Sequence, residues 1–157
     1  MEARRAELSR RKDAGEVLTA RDEDFLWTAT RAQIPNDVWN NATGLGPSQS
    51  QELLAAVSLR IAQLERRSSR TAEEDAQFEQ LGNVSSTLRK VRSDRIATLR
   101  ALTGEGTISP EQEQEKQAWV EAMLVDLRAR KARGEELSAD EEKEICCLLY
   151  TSPSPRD

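Results

Sequence analysis

The sequence predicts an all-α protein, an open or elongated bundle of about six helices followed by an irregular C-terminal tail. Ser or Thr stands at four places where a helix can begin, each followed three residues later by an acidic residue or Gln. Apolar residues in the middle of the chain recur at helical spacings of three and four. Charged residues make up 32% of the chain, which predicts a small core.

The predicted helix starts carry a capping pattern. In this pattern a Ser or Thr hydroxyl accepts a hydrogen bond from the amide three residues later, and a Glu or Gln at that position bonds back to the cap amide. Asp is a weaker partner because its side chain is shorter. The pairs are Thr19 with Asp22, Thr71 with Glu74, Ser109 with Gln112, and Ser138 with Glu141.

Glycines after basic segments predict two helix ends, at Gly15 and Gly134. Cations near the last carbonyls stabilise a helix end, and glycine tolerates the positive φ that closes it. A loop is expected over 34–47, with room for one short turn around Val38–Trp39. Helices are expected near residues 2–13, 20–33, 48–68, 72–102, 110–132 and from 139 onward.

Three apolar stripes predict how the helices pack. The short connection at Ser68–Arg70 predicts that the two central helices are antiparallel neighbours. A slip in spacing after Val91 favours bundle packing over a coiled-coil seam. A third face, with Trp119, Met123 and Leu127, is expected to join the same core. The central stripes hold Leu54, Val57, Ile61 and Leu64 on one helix, and Phe78, Leu81, Leu88, Val91, Ile96, Leu99 and Leu102 on the next.

An imperfect repeat relates the two ends of the chain. Each copy reads as a basic helix end, a glycine, a leucine, and a capped acidic helix. Duplication of a helical hairpin explains it, and so does convergence, which is favoured because these signals are common to many helix pairs. The matched pairs include Leu8 with Leu127, Gly15 with Gly134, Leu18 with Leu137, and Thr19 with Ser138.

The segment Cys147–Asp157 resembles the in-frame translation of a transposase-type DNA sequencing adapter, residue for residue. Such a segment is excluded from fold reasoning. We therefore expect residues 1–145 to form a single helical domain that is truncated at its C-terminus. Residues 147–157 are expected to be a non-native tail, irregular from Leu148 onward because Pro cannot continue a helix.

The residue types argue against catalysis. The chain contains no His, which excludes Cys–His and Ser–His–Asp nucleophilic systems and zinc sites built from Cys and His for this sequence. The carboxylate clusters are typical of solvated helix faces. We therefore expect no enzymatic activity, no cofactor and no metal.

The N-terminus lacks the apolar stretch of a signal peptide, and no segment is apolar over the length that spans a bilayer. The chain before the adapter-like segment Cys147–Asp157 has no disulfide framework, which fits a reducing compartment. These features predict an intracellular, cytoplasmic protein that does not associate with membranes.

Two tryptophans, Trp27 and Trp39, flank the loop around Pro35. They could anchor this loop on the core, or they could form an exposed site for a partner chain. The shortage of other large apolar residues favours the first interpretation. Partner binding at Trp27 and Trp39 is the alternative, and it is the interpretation that assigns these residues a function.

A second candidate surface is basic and follows one long helix, where such a row could track a phosphate backbone. Asp94 interrupts the row, and the net charge of -5 opposes approach to nucleic acid. We expect at best weak binding, with a dissociation constant of about 10⁻⁵ M or poorer. The residues are Arg89, Lys90, Arg92, Arg95 and Arg100.

These observations predict a helical protein–protein interaction or scaffold module with no catalytic activity of its own. Its partner is expected to be another protein chain, or a second copy of itself bound through helix faces. The alternative is a helical nucleic-acid-binding protein that uses the Arg89–Arg100 surface. An enzyme is the least favoured class.

Overall fold

The computed structural model describes the backbone of residues 2–151 and the side chains of residues 2–146. Within this part of the chain every regular element is an α-helix, which confirms the all-α prediction. The six predicted helices are present, and the short turn expected around Val38 is a seventh. The helices are α1 (Glu2–Asp13), α2 (Ala20–Gln33), α3 (Asn36–Trp39), α4 (Pro47–Glu65), α5 (Ala72–Glu105), α6 (Pro110–Ala132) and α7 (Ala139–Thr151).

The helix starts follow the predicted capping chemistry. Thr71, Ser109 and Ser138 each accept a hydrogen bond from the amide three residues later, and each cap amide donates to the side chain at that position. At α2 the Thr19 hydroxyl accepts from the Asp22 amide at 3.1 Å. The Asp22 carboxylate accepts a hydrogen bond from Arg4. Asp was expected to be a weaker partner of the cap amide because its side chain is shorter.

Three helices end at a glycine in the left-handed conformation. Gly15, Gly106 and Gly134 have φ values of 85°, 73° and 84°. In each turn the glycine amide bonds the carbonyl three residues back, and the following amide bonds the carbonyl five residues back. This is the Schellman motif. Helix α5 was predicted to end near residue 102, but it continues to Glu105 because Gly106 provides its stop.

The hairpins α1–α2 and α6–α7 share one local structure. Each has a helix closed by a Schellman glycine, then a half-buried leucine, then a capped helix. Leu8 and Leu127, at equivalent positions, are both buried. The repeat seen in the sequence is therefore a repeat of backbone geometry, which duplication and convergence both explain.

The helices group into two compact units, Met1–Ser93 and Asp94–Asp157, with the boundary inside α5. We call them unit 1 and unit 2. The single-domain prediction for residues 1–145 is not decided by this grouping. The core of unit 1 holds Val38, Leu45, Leu53, Leu54, Val57, Leu81 and Leu88. The core of unit 2 holds Ile96, Leu99, Trp119, Met123, Leu127 and Ile145.

The two cores correct the expectation that Trp119, Met123 and Leu127 join the core of α4. Helix α5 has 34 residues and α4 has 19, which correspond to lengths of about 51 Å and about 28 Å. Helix α4 therefore covers only part of α5, and α6 packs on the last turns. The slip in the apolar spacing after Val91 falls at the boundary between the two cores.

Helix α7 extends to Thr151, past the expected start of irregular chain at Leu148. The prolines that were expected to stop the helix fall in Ser152–Asp157, outside the described residues. In the described part of the chain, no helix combines the length and apolarity needed to cross a membrane.

Candidate functional site

The two candidate tryptophans lie together in unit 1. Trp27 is on α2 and Trp39 ends α3, and their rings meet edge to face with centroids 5.9 Å apart. Both are half-buried and pack against the core of unit 1. Such perpendicular pairs stabilise a fold beyond the area they bury. The pair thus anchors the α2–α3 region on the core, and partner binding by these residues stays a hypothesis.

The surroundings of the two rings differ. The Arg31 guanidinium lies 4.2 Å from the Trp39 ring centroid, within the range of a cation–π contact. The Trp39 Nε1 atom is buried without a hydrogen-bond partner among the described residues. The Trp39 ring is therefore already covered by its own chain.

Trp27 lines an open pocket of about 460 Å³. The walls come from α2, from α4, and from the first two turns of α5 with the preceding Thr71. Three of the lining side chains are carboxylates and one is a guanidinium, so the lining itself is acidic. The pocket is lined by Asp24, Trp27, Thr28, Arg60, Thr71, Glu73, Glu74 and Gln77.

Arg60 forms the inner wall of this pocket. It is only 5% exposed, and its guanidinium carbon lies 5.8 Å from the centroid of the Trp27 ring. It donates to Gln77 and to Gln63, each at 3.1 Å, and it pairs with Asp24 at 3.0 Å. These bonds hold the guanidinium and the Asp24 carboxylate in fixed positions beside the indole.

Arg67, just after α4, ties three helices together. Its side chain is 11% exposed. It donates to Asp24 at 2.8 Å and to the Ala20 carbonyl at 3.2 Å, and it pairs with Glu74. Glu23 lies 3.6 Å away. The pocket walls are thus positioned by an ion-pair network that joins the start of α2, the end of α4 and the start of α5.

This network was not predicted from the sequence, because Arg66 and Arg67 were placed inside a helix that was expected to reach residue 68, and the acidic first turns were related only to their own helices. One signal could have found it. The apolar spacing places Arg66 and Arg67 after the last buried turn of α4. The capping pattern places Glu23 and Asp24 in the first turns of α2. Opposite charges at neighbouring helix ends are expected to pair.

The network keeps two of the pocket carboxylates, those of Asp24 and Glu74, ionised. Burial raises the pKa of Asp24, but hydrogen bonds and charges from Arg67 and Arg60 outweigh it, so the pKa lies below its usual value. The Thr71 amide lowers the pKa of Glu74, and Arg67 lowers it further against the opposing effect of burial. Both groups therefore carry negative charge at neutral pH.

These lowered pKa values predict how stability depends on pH. A carboxyl whose pKa is lower in the folded chain stabilises it above the unfolded pKa, and this contribution is lost as pH falls through the folded pKa. We expect the melting temperature to stay level between about pH 8 and pH 6, because the chain lacks His. At pH values below about 4.5 we expect the melting temperature to decrease. A thermal melt series that shows rising stability on acidification would contradict this expectation.

The basic candidate surface is largely engaged within the chain. Arg95 binds Glu115 through two hydrogen bonds of 2.5 and 2.8 Å, and Arg100 binds Glu144 through two of 2.8 and 3.1 Å. Arg89 donates to Ser85 at 2.6 Å and to Ser58 at 3.4 Å. Arg92 is 5% exposed and Lys90 is exposed. At least three of the five cations are thus engaged by groups of the chain itself, and nucleic-acid binding at this surface stays a prediction.

Unit 1 has a second and larger cavity, a cleft of about 820 Å³ between the α1–α2 turn and the residues that follow α4. Val17, on its rim, is 94% exposed. The cleft combines apolar, basic and hydroxyl groups. It is lined by Lys12, Gly15, Glu16, Val17, Leu18, Ala20, Glu23, Gln63, Arg66, Arg67, Ser68 and Ser69.

The Trp27 pocket offers an indole ring and ionised carboxylates on a framework of paired side chains. An aromatic face beside negative charge is suited to a cation. Within the described residues, no group of three or more His, Cys, Asp or Glu side chains could hold a metal ion. No protein-family model, no curated protein and no solved structure matches this chain.

Proposed function

We propose that this protein is a non-catalytic interaction module of the cytoplasm, and that its Trp27 pocket binds a basic side chain of another protein chain. One observation carries the proposal. The half-buried Trp27 ring shares an open pocket with Asp24, Glu73 and Glu74. A lysine or arginine of a partner would meet an aromatic face and negative charge at the same place.

The charge of the pocket supports a cationic ligand. Arg60 and Arg67 both bind Asp24, and Arg67 also binds Glu74, so two guanidiniums face three lining carboxylates. One negative charge is left over. Glu73, which is exposed, lies at the rim. A partner cation would complete this balance, whereas an anionic ligand would be repelled.

The rigidity of the pocket also supports binding. Trp27 packs on the core through Trp39, and the lining carboxylates Asp24 and Glu74 are held by hydrogen bonds. A site that is already ordered loses little conformational entropy when a ligand enters. Partly buried tryptophans with this support are typical of the residues that dominate interface energies.

The nucleic-acid alternative is less well supported. Arg95 and Arg100 would have to leave their bidentate carboxylate partners, Glu115 and Glu144, to contact phosphate. The net charge of -5 opposes such contacts at long range. Self-association through helix faces fits the same proposal if the basic side chain comes from a second copy.

A selection from a random displayed-peptide library tests the proposal. We expect the full chain to enrich peptides rich in Lys and Arg, and we expect Trp27→Ala and Glu73→Lys to abolish that enrichment. Glu79→Lys is the matched control, because Glu79 is also exposed on α5 but does not line the pocket. Enrichment that is the same for Glu73→Lys and Glu79→Lys would place binding elsewhere.

A further inference from the structure

The connection between α4 and α5 exposes two hydroxyl groups among arginines. Ser68 and Ser69 are exposed and lie outside any helix. Arg66 and Arg67 precede them and Arg70 follows. The Arg66 side chain is 61% exposed and makes an ion pair of 2.7 Å with Glu23. Ser69 is thus exposed in this loop, and Arg66, three residues before it, has an accessible guanidinium.

We propose that Ser69 is a phosphorylation site for an arginine-directed protein kinase, and that its phosphate draws Arg66 away from Glu23. Such kinases read charge patterns on their substrates, and the accessible guanidinium of Arg66, three residues before Ser69, supplies that charge here. The site differs from the Trp27 pocket, because Ser69 and Arg66 line the other cavity, although Arg67 contacts residues of both.

The transfer is a simple displacement. The Ser69 Oγ attacks the γ-phosphorus of ATP, and a new oxygen–phosphorus bond forms while the bond from that phosphorus to the bridging oxygen breaks. The bridging oxygen keeps the electron pair and leaves as part of ADP. The hydroxyl proton passes to the catalytic carboxylate of the kinase and then to water.

Ser93 provides an internal comparison. It is exposed and follows Arg89, Lys90 and Arg92, so its charge pattern is at least as basic. It lies in the interior of α5, however, and its backbone amides are committed to the helix. Presenting it in extended form would break a long helix near its middle, whereas Ser69 is already in a loop. The structure therefore favours Ser69 over Ser93.

The effect of the phosphate follows from the cleft. Ser69 lines it together with Lys12, Arg66, Arg67 and Glu23. A phosphoserine carries a charge of about −1.5 to −2 at neutral pH and binds arginine strongly. Arg66 is exposed enough to turn toward it, but the Glu23 side chain is 11% exposed and cannot follow. Glu23 would keep only its 3.6 Å contact with Arg67.

The site is tested with the full chain, ATP and a purified arginine-directed kinase, and the products are mapped by mass spectrometry. We expect one phosphoryl group at Ser69, which Ser69→Ala abolishes and Ser68→Ala retains. Arg66→Ala should slow the incorporation severalfold. Modification at Ser93 in preference to Ser69, or none while a control substrate is modified, would overturn the assignment.

The effect is tested by thermal melts of the phosphorylated and unphosphorylated chains. We expect phosphorylation to lower the melting temperature by a few degrees, and we expect most of that shift to vanish in Glu23→Gln, where no carboxylate competes with the phosphate for Arg66. An unchanged or higher melting temperature would overturn the competition for Arg66, as would an equal shift in Glu23→Gln.

Discussion

Leu88→Ala is expected to lower the free energy of unfolding by about 2–4 kcal/mol. Leu88 has no exposed surface and belongs to the core cluster of unit 1 with Leu53, Leu54 and Val57. Truncation would remove three carbons from a closely packed site between α4 and α5. The loss combines the transfer free energy of those carbons with the cost of the cavity.

Urea unfolding followed by circular dichroism measures this loss. Val17→Ala is the control, because Val17 is 94% exposed and its truncation should change the free energy by less than about 0.5 kcal/mol. Ile61→Ala is expected near the lower end of the range for Leu88, since Ile61 packs against the same core but is half-buried. Equal midpoints for Leu88→Ala and Val17→Ala would show that α4 and α5 do not share a core.

Arg67→Met is expected to cost about 1.5–3 kcal/mol, the range for lost hydrogen bonds to charged groups. The substitution keeps most of the aliphatic length but removes the cation that binds Asp24, Glu74 and the Ala20 carbonyl. Removing the largely buried guanidinium leaves Glu74 and the Ala20 carbonyl without this partner, whereas Asp24 is half exposed and keeps its ion pair with Arg60. The same change should loosen the first turns of α2 and α5.

Arg66→Met is the matched control for this prediction. Arg66 neighbours Arg67 and also pairs with Glu23, but its side chain is 61% exposed. Exposed pairs contribute about 0–1 kcal/mol. Similar unfolding free energies for Arg66→Met and Arg67→Met would mean that burial does not determine how much the ion pairs of each arginine stabilise the fold.

Helix boundaries were predictable where local chemistry sets them. Helices α1, α2 and α6 span the predicted residues, and at each of their limits except the start of α1 a capping residue, a Schellman glycine or a proline acts within one turn. Helix α4 was expected to reach residue 68 and ends at Glu65. The Arg67 side chain turns toward Asp24 and Glu74 there, and such long-range pairing leaves no local trace in the sequence.

The division of the apolar residues between two cores was not predicted. Apolar spacing shows which face of a helix is buried, but it does not show which helix covers that face. Trp119 and Leu88 both lie on stripes of helical period, yet they belong to different cores. The slip in apolar spacing after Val91 was interpreted as favouring bundle packing over a coiled-coil seam. It lies next to Ser93, where unit 1 ends.

The candidate site was predicted in part. The sequence indicated Trp27 through its position beside the Pro35 loop. It did not indicate Asp24, Arg60 or Glu74 as neighbours, because these come from three helices that are brought together by tertiary packing. Trp39 was proposed with Trp27 on equal terms, but Trp27 lines the pocket of about 460 Å³ and Trp39 does not line that pocket. The Arg31 guanidinium lies over the Trp39 ring.

Indole N–H resonances give the most direct test of the proposed basic-ligand site. The chain has three tryptophans, so a proton–nitrogen correlation spectrum should show three indole signals, which Trp→Phe variants assign. We expect a lysine-rich peptide to shift the Trp27 signal while Trp39 and Trp119 stay in place, and a glutamate-rich peptide to shift none. If the lysine-rich peptide moved Trp39 or Trp119 but not Trp27, or moved no signal at millimolar concentration, the account would be contradicted.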